Sequence, residues 1–253
     1  MEIRLDGIRS GFQQLLNGTP EVSIVMPAYN EEACILKALM CLSKSKTLRS
    51  VEVIVVNNNS GDRTAVLANA TGVRCILESV QGITAARNAG LAAARGKYIL
   101  NADADTLYPP NWIEEMITPL ENDTVASVYG RFSFIPTTGT SRFIYFLYEY
   151  AADIMRWINK TFREEAMNVY GFNSGFRRNQ GIQVEGFNHP PNTSEDNWLA
   201  LKLRKRGFGK LHYVTKKNAL VWTLDRRIQI DGGLRKGLVK RINRILTNNR
   251  KHR

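Results

Sequence analysis

Two aspartates separated by one small residue, Asp103 and Asp105 on either side of Ala104, follow the short apolar run Tyr98-Ile-Leu100 after the turn residue Gly96. A strand ending in two carboxylates suits a hard divalent ion. Mg²⁺ and Mn²⁺ take oxygen ligands and commonly bridge one or two carboxylates to substrate phosphates. In an open α/β sheet, ligands collect beyond the carboxyl ends of the strands, where this pair falls. A second acidic pair, Glu195-Asp196, follows Ser194 at the start of a helical pattern. Taken alone, Asp-x-Asp is a solvated turn and Glu-Asp is ordinary acid enrichment at a helix N-terminus. The surrounding elements favour the chemical reading.

Those elements alternate. Val22 to Met26 is a first strand, closed by Pro27-Ala-Tyr-Asn30, and Glu31 and Glu32 are expected to open a helix carrying Ile35, Leu36, Leu39 and Leu42. Val51 to Val56 is a second strand, running into Asn57-Asn-Asn-Ser-Gly-Asp62 and a helix from Arg63. Val73 to Leu77 is a third, and an alanine-rich helix from Gly82 to Arg95 leads to the central strand. This spacing implies a parallel, doubly wound α/β sheet. Pro109-Pro110 starts a further helix, and Val125 to Ile135 reads as one extended strand. From Ser141 to Asn159 an aromatic-rich stripe recurs at helical spacing: Phe143, Phe146, Leu147, Tyr150, Ile154 and Trp157. The first expectation for it is core packing, the alternative a surface for an acceptor or for lipid.

A chain of 253 residues accommodates one large domain with a full core. Cys34, Cys41 and Cys75 lack metal-ligand spacing and read as reduced thiols of a cytoplasmic protein. No secretory leader and no membrane-length apolar run is visible. The formal charge of +12 is concentrated from Leu201 onward, which predicts an anionic partner such as a membrane surface or a polyanionic acceptor. Nucleic acid is disfavoured, because neither zinc-finger spacing nor an aromatic RNA-binding signature is present.

Five segments, in this order and each at a strand end or helix start, resemble those of the family 2 glycosyltransferases of the GT-A fold. They are Val22-Ser-Ile-Val-Met-Pro-Ala-Tyr-Asn-Glu31, Val55-Val-Asn-Asn-Asn-Ser-Gly-Asp-Arg-Thr64, Gly82-Ile-Thr-Ala-Ala-Arg-Asn-Ala-Gly90, Asn101-Ala-Asp-Ala-Asp105 and Ser194-Glu-Asp196. The likeness covers residues 21–227 as a single domain, with residues 1–20 as an N-terminal extension and 228–253 as a basic amphipathic tail. It implies a Rossmann-like, mostly parallel central sheet flanked by helices. It also implies transfer of a sugar from a nucleotide-diphosphate donor to an acceptor hydroxyl, with inversion at the anomeric carbon.

By the same resemblance, Pro27, Tyr29 and Glu31 hold the nucleotide together with Asn57 and Asn59. Asp103, Ala104 and Asp105 hold the donor, the two carboxylates through Mn²⁺ or Mg²⁺. The ion and the nearby Arg87 would offset charge growing on the leaving diphosphate. Arg226 and Arg227 would reach that diphosphate from a closing segment. Asp196 resembles the general base that takes the acceptor proton, with Glu195 supporting it as an orienting neighbour. Gly171, Asn173 and His189 mark an acceptor loop, and His212 has no assigned role. The family usually carries aspartates where Asn57 and Asn58 stand. An asparagine oxygen still accepts from uracil N3–H, although its amide also donates, and UDP remains the favoured nucleotide.

Two rivals are weaker. A sugar-phosphate nucleotidyltransferase would carry a glycine-rich, basic phosphate loop where Pro27-Ala-Tyr-Asn-Glu31 stands. A non-catalytic membrane- or polyanion-binding module leaves Asp103, Asp105 and Asp196 without a purpose. In the tail, Leu234, Leu238, Ile242, Ile245 and Leu246 recur at helical spacing with Lys236, Lys240, Arg241 and Arg244 between them. That is the pattern of an interfacial helix. It predicts a cytoplasmic protein held peripherally on the inner face of the plasma membrane, acting on a glycan or lipid-linked acceptor.

Overall fold

A computed structural model describes residues 5–137 and 140–230. Helices and strands alternate through the first half as α1 (Leu5–Leu15), β1 (Val22–Ala28), α2 (Ile35–Leu42), β2 (Val51–Asn57), α3 (Thr64–Ala70), β3 (Arg74–Leu77), α4 (Ile83–Ala93) and β4 (Tyr98–Asn101). There follow β5 (Thr106–Leu107), α5 (Trp112–Ile117), β6 (Val125–Gly130), β7 (Phe132–Ile135), α6 (Arg142–Phe162), β8 (Ser174–Arg177) and α7 (Arg178–Gln183). The described part closes with α8 (Glu195–Lys205), β9 (Lys210–Val214), β10 (Val221–Leu224) and α9 (Arg226–Ile230).

The main sheet has the order β3-β2-β1-β4-β8-β6-β9, and a small second sheet has the order β5-β10-β7. In the main sheet every strand shares one direction except β8, which runs antiparallel between β4 and β6. β1 and β2 are buried along their whole length, as expected of strands covered on both faces. Their side chains divide by twos between two core layers: Ile24, Met26, Val53 and Val55 on one face, Val25, Ile54 and Val56 on the other. Pro27 is tolerated in a central strand because the last rung with β4 is Val25–Asn101. Helix α4 lies close on this sheet. A Cβ at Gly90 would stand 2.2 Å from Val25 Cγ1, so only glycine permits that approach. Ile8, Phe12 and Leu15 of α1 join the same core as β1 and β2.

At the start of β2, the buried Glu52 carboxylate accepts from Ser23 Oγ at 2.7 Å and from Arg95 N, Nε and Nη2 at 2.7, 3.0 and 2.8 Å. Burial pushes its pKa up, but these hydrogen bonds outweigh burial and hold it below the ordinary glutamate value.

Three local expectations are corrected. Residues 125–135 form two strands in two sheets, broken at Arg131. The Asn173 side chain is wedged there, donating Nδ2 to Arg131 O at 2.7 Å. Helix α2 begins at Ile35 and not at Glu31. Asn30, at φ 54, turns the chain, and Glu32 instead accepts from Arg63 N at 3.1 Å. The aromatic stripe of α6 is not core. Its six residues are exposed by 45–67 %, while Tyr145, Arg156 and Asn159 face inward.

Candidate active site

The C-terminal ends of β1, β2 and β4 open on one edge of the main sheet. Because β8 runs the other way, the turn that precedes it opens there too. The rungs Ala28–Asn57, Val25–Asn101 and Asn101–Ser174 therefore gather Tyr29, Asn57, Asp103 and the 171–173 turn along that edge. This is where the strand-end aspartates were expected to meet ligand.

At its centre is Arg87 of α4, 1 % exposed. It donates Nη2 to Asp103 Oδ1 at 2.9 Å and Nη1 to Ala102 O at 3.4 Å, and its Nε lies 3.8 Å from Asp196 Oδ1. The last contact is an ion pair without a hydrogen bond. Arg87 Nε and Asp196 Oδ1 are both buried and unbonded among the described residues, a condition that usually marks a place completed by water or ligand. Burial pushes the Asp196 carboxyl up to about 7; Arg87 opposes this, and Glu195 and Asp103 add to it. Glu195, expected as an orienting neighbour, thus helps to raise the Asp196 pKa. The backbone of Gly171 presses on this pair, since a Cβ there would stand 2.3 Å from Arg87 Nη2 and 2.4 Å from Asp196 Oδ2.

Tyr108, not singled out in the sequence, fixes the same region. Its Oη accepts from Asp103 N at 2.8 Å and donates to Phe172 O at 3.1 Å, and burial holds its pKa well above the ordinary value. Nothing local distinguishes this tyrosine from any other before a proline pair. Its role follows from β8 being inserted next to β4.

A second guanidinium closes the other side. Strand β10 pairs with β5 just beyond Asp105 and delivers Arg226 to the site. Arg226 Nη2 donates to Glu31 Oε1 and Oε2 at 2.7 and 2.6 Å, and to Asp105 Oδ2 at 3.0 Å. Burial raises the Glu31 pKa against the opposing pull of Arg226. Glu31 therefore faces a cation shared with Asp105.

Five carboxylates (Glu31, Asp103, Asp105, Glu195 and Asp196) stand here against two guanidiniums. That excess would repel an anionic diphosphate and favour a divalent cation. Among the described residues no group of three or more His, Cys, Asp or Glu side chains is arranged to hold an ion unaided. A pair of carboxylates that leaves the remaining positions to phosphate and water oxygens is nevertheless a usual arrangement for Mg²⁺. Asp103 and Asp105 fit that description. His212 lies on β9, at the far edge of the sheet from β1 and β2.

The other expected residues are placed unequally. Pro27 and Ala104 are at the edge, Tyr29 is half exposed there, and Asn59 sits in a left-handed conformation at φ 59. Asn57 Oδ1 accepts from Ser60 N at 3.2 Å, closing its own loop. Asn58 donates to Glu78 O and Val80 O and accepts from Gly82 N at 2.8 Å, so its amide holds the loop leading into α4. The Asn173 side chain is engaged by Trp112 Nε1 at 2.8 Å and by the Arg131 and Ala219 carbonyls. His189, in the loop before α8, lies 3.1 Å from Thr84 Oγ1 on α4. The Arg227 side chain and the expected tail helix lie outside the described residues.

Similarity to known proteins agrees with this arrangement of strands and helices. A family model described as "Glycosyl transferase family 2" matches residues 23–180. The curated protein "Probable glycosyltransferase YdaM" of Bacillus subtilis is 30 % identical over 207 residues, covering 75 % of this chain and 48 % of that protein. The chain spans half or less of the length of the curated relatives it matches. Among solved structures, the mannosyltransferase PcManGT from Pyrobaculum calidifontis, in complex with GDP-Man and Mn²⁺, superposes with a TM-score of 0.59 at 19 % identity, over 86 % of this chain and 64 % of that one. TarS of S. aureus, residues 1–349 with UDP-GlcNAc, gives 0.59 at 16 % identity, over 81 % and 58 %. With a family model over more than half its length and a GT-A arrangement of strands, the chain belongs to glycosyl transferase family 2.

Proposed function

We propose that this chain is an inverting glycosyltransferase that moves a sugar from a nucleotide-diphosphate donor, UDP first among nucleotides, to an acceptor hydroxyl in polysaccharide or glycolipid synthesis. The observation that carries this reading is the single guanidinium of Arg87 joining Asp103 to Asp196. One carboxylate belongs to the donor end, the other is poised to take a proton, and one buried cation fixes their spacing.

Asp103 and Asp105 would hold Mn²⁺ or Mg²⁺, which supplies charge neutralisation at the leaving diphosphate. The PcManGT complex with GDP-Man and Mn²⁺ and the TarS complex with UDP-GlcNAc support a nucleotide-sugar donor. Arg226, already bonded to Asp105, is positioned to meet the same negative charge. Asp196, with its pKa lifted to about 7, is matched to accept the acceptor proton at neutral pH. Attack by that hydroxyl on the face opposite the leaving group is a single displacement and inverts the anomeric centre.

The test is a thermal-shift screen of UDP- and GDP-sugars with Mn²⁺, on the parent and on Asp105→Asn. A donor should raise the parent's melting temperature and leave that of Asp105→Asn unmoved. An equal rise in both removes the metal assignment. Pyrophosphate release in place of nucleoside diphosphate would transfer the reading to a nucleotidyltransferase.

A further inference from the structure

Helix α6 is turned inside out relative to an ordinary surface helix. Except for Lys160 in its last turn, its charged side chains lie toward the domain: Arg142 reaches Ser133 Oγ at 3.2 Å and pairs with Glu149 of the same helix, Asp153 pairs with Arg131 at 2.7 Å, and Arg156 is buried. The outward face carries Phe143, Phe146, Leu147, Tyr150, Ile154 and Trp157. A single exposed apolar side chain needs no explanation, but a continuous, charge-free stripe along a 21-residue helix marks an interaction surface.

We infer that this face docks on an anionic lipid bilayer, with α6 lying in the plane of the interface. Three observations favour lipid over another occupant. Phe, Tyr and Trp on one face of an amphipathic helix are the composition of a segment seated at headgroup depth. No helix among the described residues is long and apolar enough to cross a membrane, and the polar side of α6 is locked into the domain. Exposed cations, Lys160 and Arg163, stand at the C-terminal end of the stripe. At its other end Gln229 of α9 donates Nε2 to Tyr145 Oη at 3.3 Å. Residues 231–253, which follow α9 and are read from sequence alone, hold eight Lys and Arg against one Asp. Basic residues beside an apolar face suit anionic headgroups, whereas a second copy packed on the stripe would bring like charges together. The inference is independent of the donor site.

The test uses the full chain with phosphatidylcholine vesicles, with and without phosphatidylglycerol, and the variant Phe146→Ser/Tyr150→Ser/Trp157→Ser. The parent should float with the anionic vesicles, more weakly at high salt, and the variant should bind on the order of tenfold more weakly or worse with an unchanged melting temperature. Brominated acyl chains should quench the parent's fluorescence through Trp157, and Trp157→Phe should lose that component. Quenching on the otherwise unaltered chain decides the matter if the triple variant does not fold. Failure of the parent to float, or equal binding by parent and variant, overturns the inference. So does a Trp157 shielded from acrylamide without lipid, the sign that a second copy or residues 231–253 cover the face.

Discussion

Gly171→Ala adds one methyl group where the structure has no room for it. A Cβ at that position would lie 2.3 Å from Arg87 Nη2 and 2.4 and 2.6 Å from the two carboxylate oxygens of Asp196, where ordinary contact begins at 3.4 Å. The pair must therefore retreat by about 1 Å, as an overpacked site demands. Arg87 has little freedom to do so, being buried and bonded to Asp103, and Asp196 is held in the first turn of α8. Misplacing reacting groups by about 1 Å costs on the order of 10²-fold in rate, and overpacking costs about 1–3 kcal/mol in stability. The expected outcome is a folded protein with a lowered melting temperature, sugar transfer down about 10²-fold, and donor affinity reduced far less. Steady-state transfer with the donor identified by the screen measures the first effect and calorimetry the last. Gly61→Ala, where nothing lies within 4 Å, is the control and should behave as the parent. A folded Gly171→Ala protein with parental turnover would refute the claim that the spacing of this pair governs transfer.

Asp196→Asn should retain donor binding and lose transfer by about 10²–10⁴-fold. The parent's rate should climb with pH and level off above about 7 as this carboxyl ionises, and a pH profile of the variant that keeps the same limb would assign the base elsewhere. Arg226→Gln removes the cation between Glu31 and Asp105 and should tighten Mn²⁺ binding measured without donor; unchanged affinity would show that Arg226 does not compete for that position. Glu52→Gln removes a buried carboxylate whose partner Arg95 is more than half exposed, and should cost about 1–2 kcal/mol by chemical denaturation while leaving donor affinity alone. Because the folded pKa of Glu52 is lowered, its contribution is complete above the ordinary glutamate range and lost as pH falls through the lowered value. A parent–variant stability gap that does not narrow in acid would contradict this.

What the sequence made legible was the part governed by local pattern. The unbroken apolar runs of β1 and β2, the Asp103–Asp105 pair at a strand end, and the acids opening α8 follow from periodicity and from where parallel sheets collect ligand. What it hid depends on partners far along the chain. The antiparallel β8 places Gly171 on Arg87 and Phe172 on Tyr108, and no local signal reports that insertion. The break at Arg131 exists because Asn173 fills it. Helical spacing showed that the aromatic residues of α6 share a face, but not which way that face turns. That is set by long-range contacts of its buried side chains, such as Tyr145 with Asp225.

Arg226 has a consequence beyond its contacts. The acidic cleft carries its own counter-ion, the Arg226 guanidinium of α9. Anything positively charged that settles between Glu31 and Asp105 must displace that arginine, and Arg226 sits in the same short helix as Gln229, which holds Tyr145 at the root of α6. If release of Arg226 shifts α9, cation entry and the contact of α9 with α6 are coupled, and linkage is reciprocal: whatever grips α6 with α9 in one position would change the affinity of the cleft, and a filled cleft would change that grip by the same factor.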